Sequence, residues 1–135
     1  MGMSFSIKSS ASDRELVFLS PRADHFIVKL SGVALGVERE VYAYTDAQGL
    51  SRFFSSLAAH DRGWTDTPRW ESLEGEFSIS AQCSALGHVS FSICIRDMLG
   101  GPEEWAVSAR LVTELGALPD IAKNATSFFD VVASA

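Results

Sequence analysis

Two neighbouring stretches of this chain alternate so strictly that only one antiparallel register suits them both. Phe77, Ile79, Ala81 and Cys83 share one face of an extended segment, and Val89, Phe91, Ile93 and Ile95 share one face of the next. A turn centred on Leu86 sets Cys83 opposite Val89, Ala81 opposite Phe91, Ile79 opposite Ile93 and Phe77 opposite Ile95. A slip of one residue would send each apolar side chain to the wrong side of the sheet, so the pattern itself specifies the pairing. A second turn around Gly100-Gly101 brings Trp105, Val107, Ala109 and Leu111 against the same face, with Ile95 opposite Trp105. The other face carries Ser78, Ser80, Gln82, Ser90, Ser92, Arg96, Ser108 and Arg110 and reads as a solvent face. The two registers together predict Arg96 between Glu76 and Glu104. They also turn Cys83 inward and Cys94 outward, opposite Ser78, an arrangement that no disulfide can close.

The first third of the chain also has period two. Ser4 to Ser9, Glu15 to Ser20, His25 to Ala34 and Val37 to Thr45 read as four strands in a meander, separated by Ser-, Asp- and Pro-containing turns. The period then changes. Leu50, Phe53, Phe54, Leu57 and Ala58 line one helical face between about Asp46 and His60, with Thr45 and Gln48 placed to form a capping box. A last helix opens near Pro119 and buries Ile121, Ala125, Phe128 and Val132. The order of four strands, helix, three strands, helix predicts an α+β fold. Its expected form is one domain over residues 1–135, a curved antiparallel sheet of about seven strands with both helices on one face.

Charge excludes several functions. The chain has 17 Asp and Glu against 11 Lys and Arg, a net charge of −6. The cations are scattered, so the basic footprint of a nucleic-acid or anionic-lipid binder is missing. A basic protein partner fits this balance better. Met1 to Lys8 lacks the basic start and apolar run of a secretory leader, and no window is apolar enough to span a membrane. Two cysteines that cannot pair suit a reducing compartment, so a cytoplasmic protein is expected. Oligomeric state is left open.

No cofactor, metal or catalytic motif stands out. Gly32-Val33-Ala34-Leu35-Gly36 does not lead into a helix, as a nucleotide-binding turn would. His25, His60 and His88 stand apart from one another, without the close Cys and His spacing of a zinc site. No strained Gly-x-Ser-x-Gly turn is present. What remains is the irregular segment 61–76, with Trp64, Trp70, Glu71, Glu74 and Glu76, together with His88. Two readings compete. In one, these residues form a contact surface for a partner, with the tryptophans covering an end of the core. In the other, Glu71, Glu74 and His88 do acid and base work beside a tryptophan wall, as in a small hydrolase or ligand-binding enzyme. The first is simpler, and it leaves no catalytic residue to name.

The string Trp70-Glu71-Ser72-Leu73-Glu74-Gly75-Glu76-Phe77, followed by Gly87-His88-Val89 and a Trp105 strand, resembles an uncharacterised bacterial domain family of about this length. The resemblance covers most of the chain. It implies a stand-alone cytoplasmic protein without an assigned activity, so it transfers no catalytic residue. Small size and acidity are also similar to those of immunity proteins that neutralise toxins, an analogy of character rather than of sites.

Overall fold

Where the sequence alternates, the chain is extended. In the computed structural model, which describes residues 3–134, the strands β1 (Ser4–Lys8), β2 (Glu15–Leu19), β3 (His25–Gly32) and β4 (Leu35–Tyr42) form an antiparallel meander. Met1 and Gly2, which open the segment read above for a leader, lie outside the described residues. Phe5, Ile7, Leu16, Phe18, Phe26, Val28, Leu30 and Val41 point inward and are buried. Helix α1 (Ala47–Ala58) follows, burying Leu50, Phe53, Phe54 and Leu57 as its spacing requires. Its N-cap is Asp46 rather than Thr45, and no side chain caps it. Gln48 is drawn instead to α2 (Leu118–Ser134), where its amide donates to Asp130 Oδ1 at 3.1 Å.

The later strands form a second sheet. β5 (Arg69–Glu71), β6 (Phe77–Cys83), β7 (His88–Asp97) and β8 (Trp105–Glu114) pair antiparallel in chain order. Among the described residues the fold is therefore α+β with two four-stranded sheets and two α-helices, which corrects the expectation of one sheet of about seven strands. The strand that sequence reading missed is β5. It is only three residues long, follows Pro68 and puts a charge on each side of Trp70. A short, charged edge strand carries almost no periodic signal.

The β6–β7 register is the expected one, from Phe77 opposite Ile95 to Cys83 opposite Val89. The β7–β8 register differs by two residues. Ile95 faces Val107, Arg96 faces Ala106 and Asp97 faces Trp105. Glu104 then lies before the ladder, where its carboxylate accepts the Gly100 N–H at 2.9 Å. Arg96 is not held between Glu76 and Glu104. Its backbone N–H donates to the Glu76 carbonyl at 2.9 Å, and its guanidinium lies 3.6 Å from Glu71. Val107, expected in the core, is half-buried on the edge strand β8.

The helices and inner sheet faces share one core, and all nine phenylalanines of the chain are buried in it. Phe18 of the first sheet meets Phe77 of the second edge-on at 5.9 Å, and Phe128 and Phe129 of α2 pack on Phe5, Phe18 and Phe26. Each fully buried ring contributes about 1.5–3 kcal/mol, with more from edge-to-face geometry. Polar ties close the margins. Arg39 pairs with Asp97 at 3.1 Å, and near β8 the Ser10 N–H donates to the Val112 carbonyl at 2.7 Å. Among the described residues no helix is long and apolar enough to cross a membrane.

Candidate functional site

The segment between α1 and β6 divides into core cover and surface. Trp64 bridges to Cys83, and its indole N–H donates to the Ala81 carbonyl at 3.3 Å. Trp70 points inward opposite Ile79, and its indole N–H donates to Asp46 at 3.1 Å. Both rings are buried, so neither offers a stacking face to solvent. Glu71 points outward from β5, paired with Arg69 and close to Arg96. Glu74 is exposed in the tight turn that closes where Gly75 N–H donates to the Ser72 carbonyl at 2.9 Å. Glu76 is turned inward and buried. Its carboxylate accepts the Tyr42 N–H at 3.0 Å and the Ser72 hydroxyl, tying the end of β4 to the start of β6.

His88 is elsewhere. It opens β7 opposite Glu114, with Nδ1 at 3.2 Å from that carboxylate. Glu71 is level with Ser78 and Cys94, six residues along the ladder from His88, or roughly 20 Å at the usual strand rise. The structure therefore does not bring His88 together with Glu71 and Glu74. The cause is the hairpin itself, which carries the start of β7 away from the start of β6.

Glu74 instead meets residues that sequence reading passed over. The outward positions of β4 and its continuation are Glu38, Glu40, Tyr42 and Tyr44, alternating as strand geometry requires. The rings of His25 and Tyr42 stack with centroids 5.0 Å apart, and those of Tyr42 and Tyr44 at 5.9 Å. Carboxylates edge this ladder. Asp24 holds the His25 Nδ1 at 2.8 Å, and Glu40 accepts the Tyr42 hydroxyl at 2.9 Å. The bond to Glu40 and its charge hold the Tyr42 phenol above its ordinary pKa. Partial burial, then the Glu74 carboxylate, hold the Tyr44 phenol up as well. The period-two run of Glu-x-Glu-x-Tyr-x-Tyr was the signal available in the sequence.

Tyr44 is also strained. Its φ is 51°, in the left-handed region that a bulky side chain rarely adopts. Its N–H donates to the Asp24 carbonyl at 3.1 Å, which helps fix that conformation. Such strain costs about 1–3 kcal/mol and persists where the surroundings over-determine it. Here it keeps a tyrosine ring partly exposed at the end of a stack. Aromatic faces bordered by carboxylates suit a guanidinium or ammonium, which can stack on the ring and pair with the acids. Among the described residues no three His, Cys, Asp or Glu side chains gather in a group that could hold a metal ion.

No curated protein and no solved structure matches the chain. Residues 8–132, which take in β2 to β8, the ladder and nearly all of α2, match the Family of unknown function (DUF6228), and the chain belongs to that family.

Proposed function

We propose that this protein is a non-enzymatic binding domain that takes a basic protein partner against His25, Tyr42 and Tyr44 and the carboxylates of Asp24, Glu40 and Glu74. The observation that carries this reading is Tyr44, held exposed and strained at the end of an acid-edged aromatic stack. A position needed only to turn the chain is better filled by glycine. The partner presents arginine or lysine side chains, and the net charge of −6 steers its approach. Of the acids in segment 61–76 this keeps Glu74 as a contact residue, and it assigns the segment's tryptophans to the core. A cytoplasmic role of the immunity type, against a basic toxin, is in keeping with it. The hydrolase alternative needs His88 beside Glu71 or Glu74, and the ladder separates His88 from Glu71.

Affinity capture from lysate with in-cell crosslinking tests the reading, comparing the natural chain with the double variant Tyr44→Ala, Glu74→Lys. The expected partner is rich in Lys and Arg, crosslinks to Glu40 or Glu74, and is weakened by salt. Its affinity should fall at least about tenfold in the double variant, equivalent to about 1.4 kcal/mol. A neutral or acidic partner, or one held equally by both chains, overturns it.

A further inference from the structure

The outer face of the second sheet, expected only to meet solvent, has an ordered pattern. Register places Arg69, Ser80, Ser92 and Arg110 in one row across all four strands. The next row reads Glu71, Ser78, Cys94 and Ser108. The short side chains in the middle leave a cleft of about 390 Å³, walled by the two arginines from the edge strands. The strands carrying Arg69 and Arg110 are three ladder spacings apart, roughly 14 Å, so two long guanidinium arms can close on a group between them.

The hydroxyls here are unused. Among the described residues Ser78, Ser80, Ser92 and Ser108 have no side-chain partner, although Ser78 is only 7% exposed. Among the described residues the buried Nε of Arg96, at the margin of the same face, also lacks an acceptor. Charge points the same way. Arg69, Arg96 and Arg110 face one carboxylate in these rows, Glu71, so this patch is positive on a chain whose net charge is −6. Among the described residues Arg110 has no side-chain partner. Hydroxyl donors beneath guanidinium forks are the groups that bind a tetrahedral oxyanion.

We propose that this cleft is a binding site for a small phosphate monoester, its phosphoryl oxygens held by Arg110 and Arg69 over the hydroxyls of Ser80 and Ser92. The site shares no residue with the tyrosine ladder, and its failure would leave the partner reading untouched.

Calorimetric titration of the full chain with inorganic phosphate and with glycerol phosphate tests this, ionic strength being held constant with chloride. Saturable binding is expected, with glycerol phosphate at least as tight as phosphate. Arg110→Gln should weaken it roughly tenfold and Arg110→Lys less, because lysine keeps the charge and loses the fork. Arg110 is exposed, so both variants should melt with the natural chain. Ser92→Val supplies a further variant at a strand position suited to a β-branched residue. Ligand should also slow alkylation of Cys94, which sits in the second row. Linear uptake without saturation, equal affinity in Arg110→Gln, an unprotected Cys94, or tighter binding of malonate than of phosphate would each overturn the proposal.

Discussion

The indole N–H of Trp70 donates to the carboxylate of Asp46 at 3.1 Å, and this bond fastens the edge strand β5 to the start of α1. Asp46 is the helix N-cap, yet its side chain serves the tryptophan instead of the helix. Asp46→Ala should therefore lower unfolding free energy by about 1–3 kcal/mol, the cost of leaving a buried donor unpaired. Asp46→Asn keeps an acceptor and should cost less. The nearby Arg52, 3.6 Å from Asp46 and exposed, should matter little. Gly49→Ala would usually stabilise a helix, but here the new Cβ collides with the Asp46 carboxylate. The expected gain should be absent in denaturant melts.

At Tyr44 the order of two small residues should invert. In most strand or helix positions alanine is more stable than glycine. With φ at 51°, Tyr44→Gly should be more stable than Tyr44→Ala by about 1 kcal/mol, and both should lose the partner. Chemical denaturation of the two variants gives the difference directly. Alanine equal to or above glycine would remove the strain from the account.

The chain has two tyrosines, so absorbance titration near 295 nm reads only Tyr42 and Tyr44. Both should ionise above the ordinary value of 10.0. Glu40→Gln should lower the first, since the bond to Glu40 is its main cause. Glu74→Gln should lower the second by less, because partial burial outranks Glu74 there. Two phenols that titrate together at the ordinary value, unmoved by either variant, would dissolve the ladder's electrostatics.

The two thiols should be free and unequal. Cys83 is buried, and burial followed by the Glu114 charge pushes its pKa above 9.0. Cys94 is half-exposed on the opposite face. Alkylation of the native chain should mark Cys94 first, and denaturant should release Cys83. The sign for stability follows from the raised value. The unfolded chain loses the Cys83 proton first, so this contribution is intact below 9.0 and is lost as pH climbs through the folded value. The two tyrosines act in the same direction. Stability should decline on the alkaline side, as thermal melts across that range would record.

Some of this was legible in the sequence. The β6–β7 ladder could be written residue by residue because four apolar pairs match in one register and in no register shifted by one. The same logic misled at β8. A shift of two residues keeps every side chain on its own face, so alternation could not separate Ile95 opposite Trp105 from Ile95 opposite Val107. The turn decided it, with Met98 at φ 57° and Gly100 at φ 80° lengthening the connection. Alternation is equally silent about which strands are neighbours, which is why two sheets read as one. The acids and tryptophans of segment 61–76 were visible as a group, but their separation into core and surface depends on β5. Tyr42 and Tyr44 were hidden by counting as ordinary strand residues.

The bond from Ser10 to the carbonyl of Val112 bears on the order in which the molecule can assemble. Ser9 repeats the tie, its hydroxyl accepting the Val112 N–H across a sequence separation of 103 residues. Contacts of such span are won late, since the loop between them must be closed before they repay anything. On a ribosome the first four strands emerge well before the strand that fastens their edge. Until β8 arrives that meander has an open margin and phenylalanines without their cover, the condition in which nascent chains depend most on chaperones. The first strand's edge is closed by a strand made about a hundred residues later, and birth is therefore the molecule's most vulnerable moment.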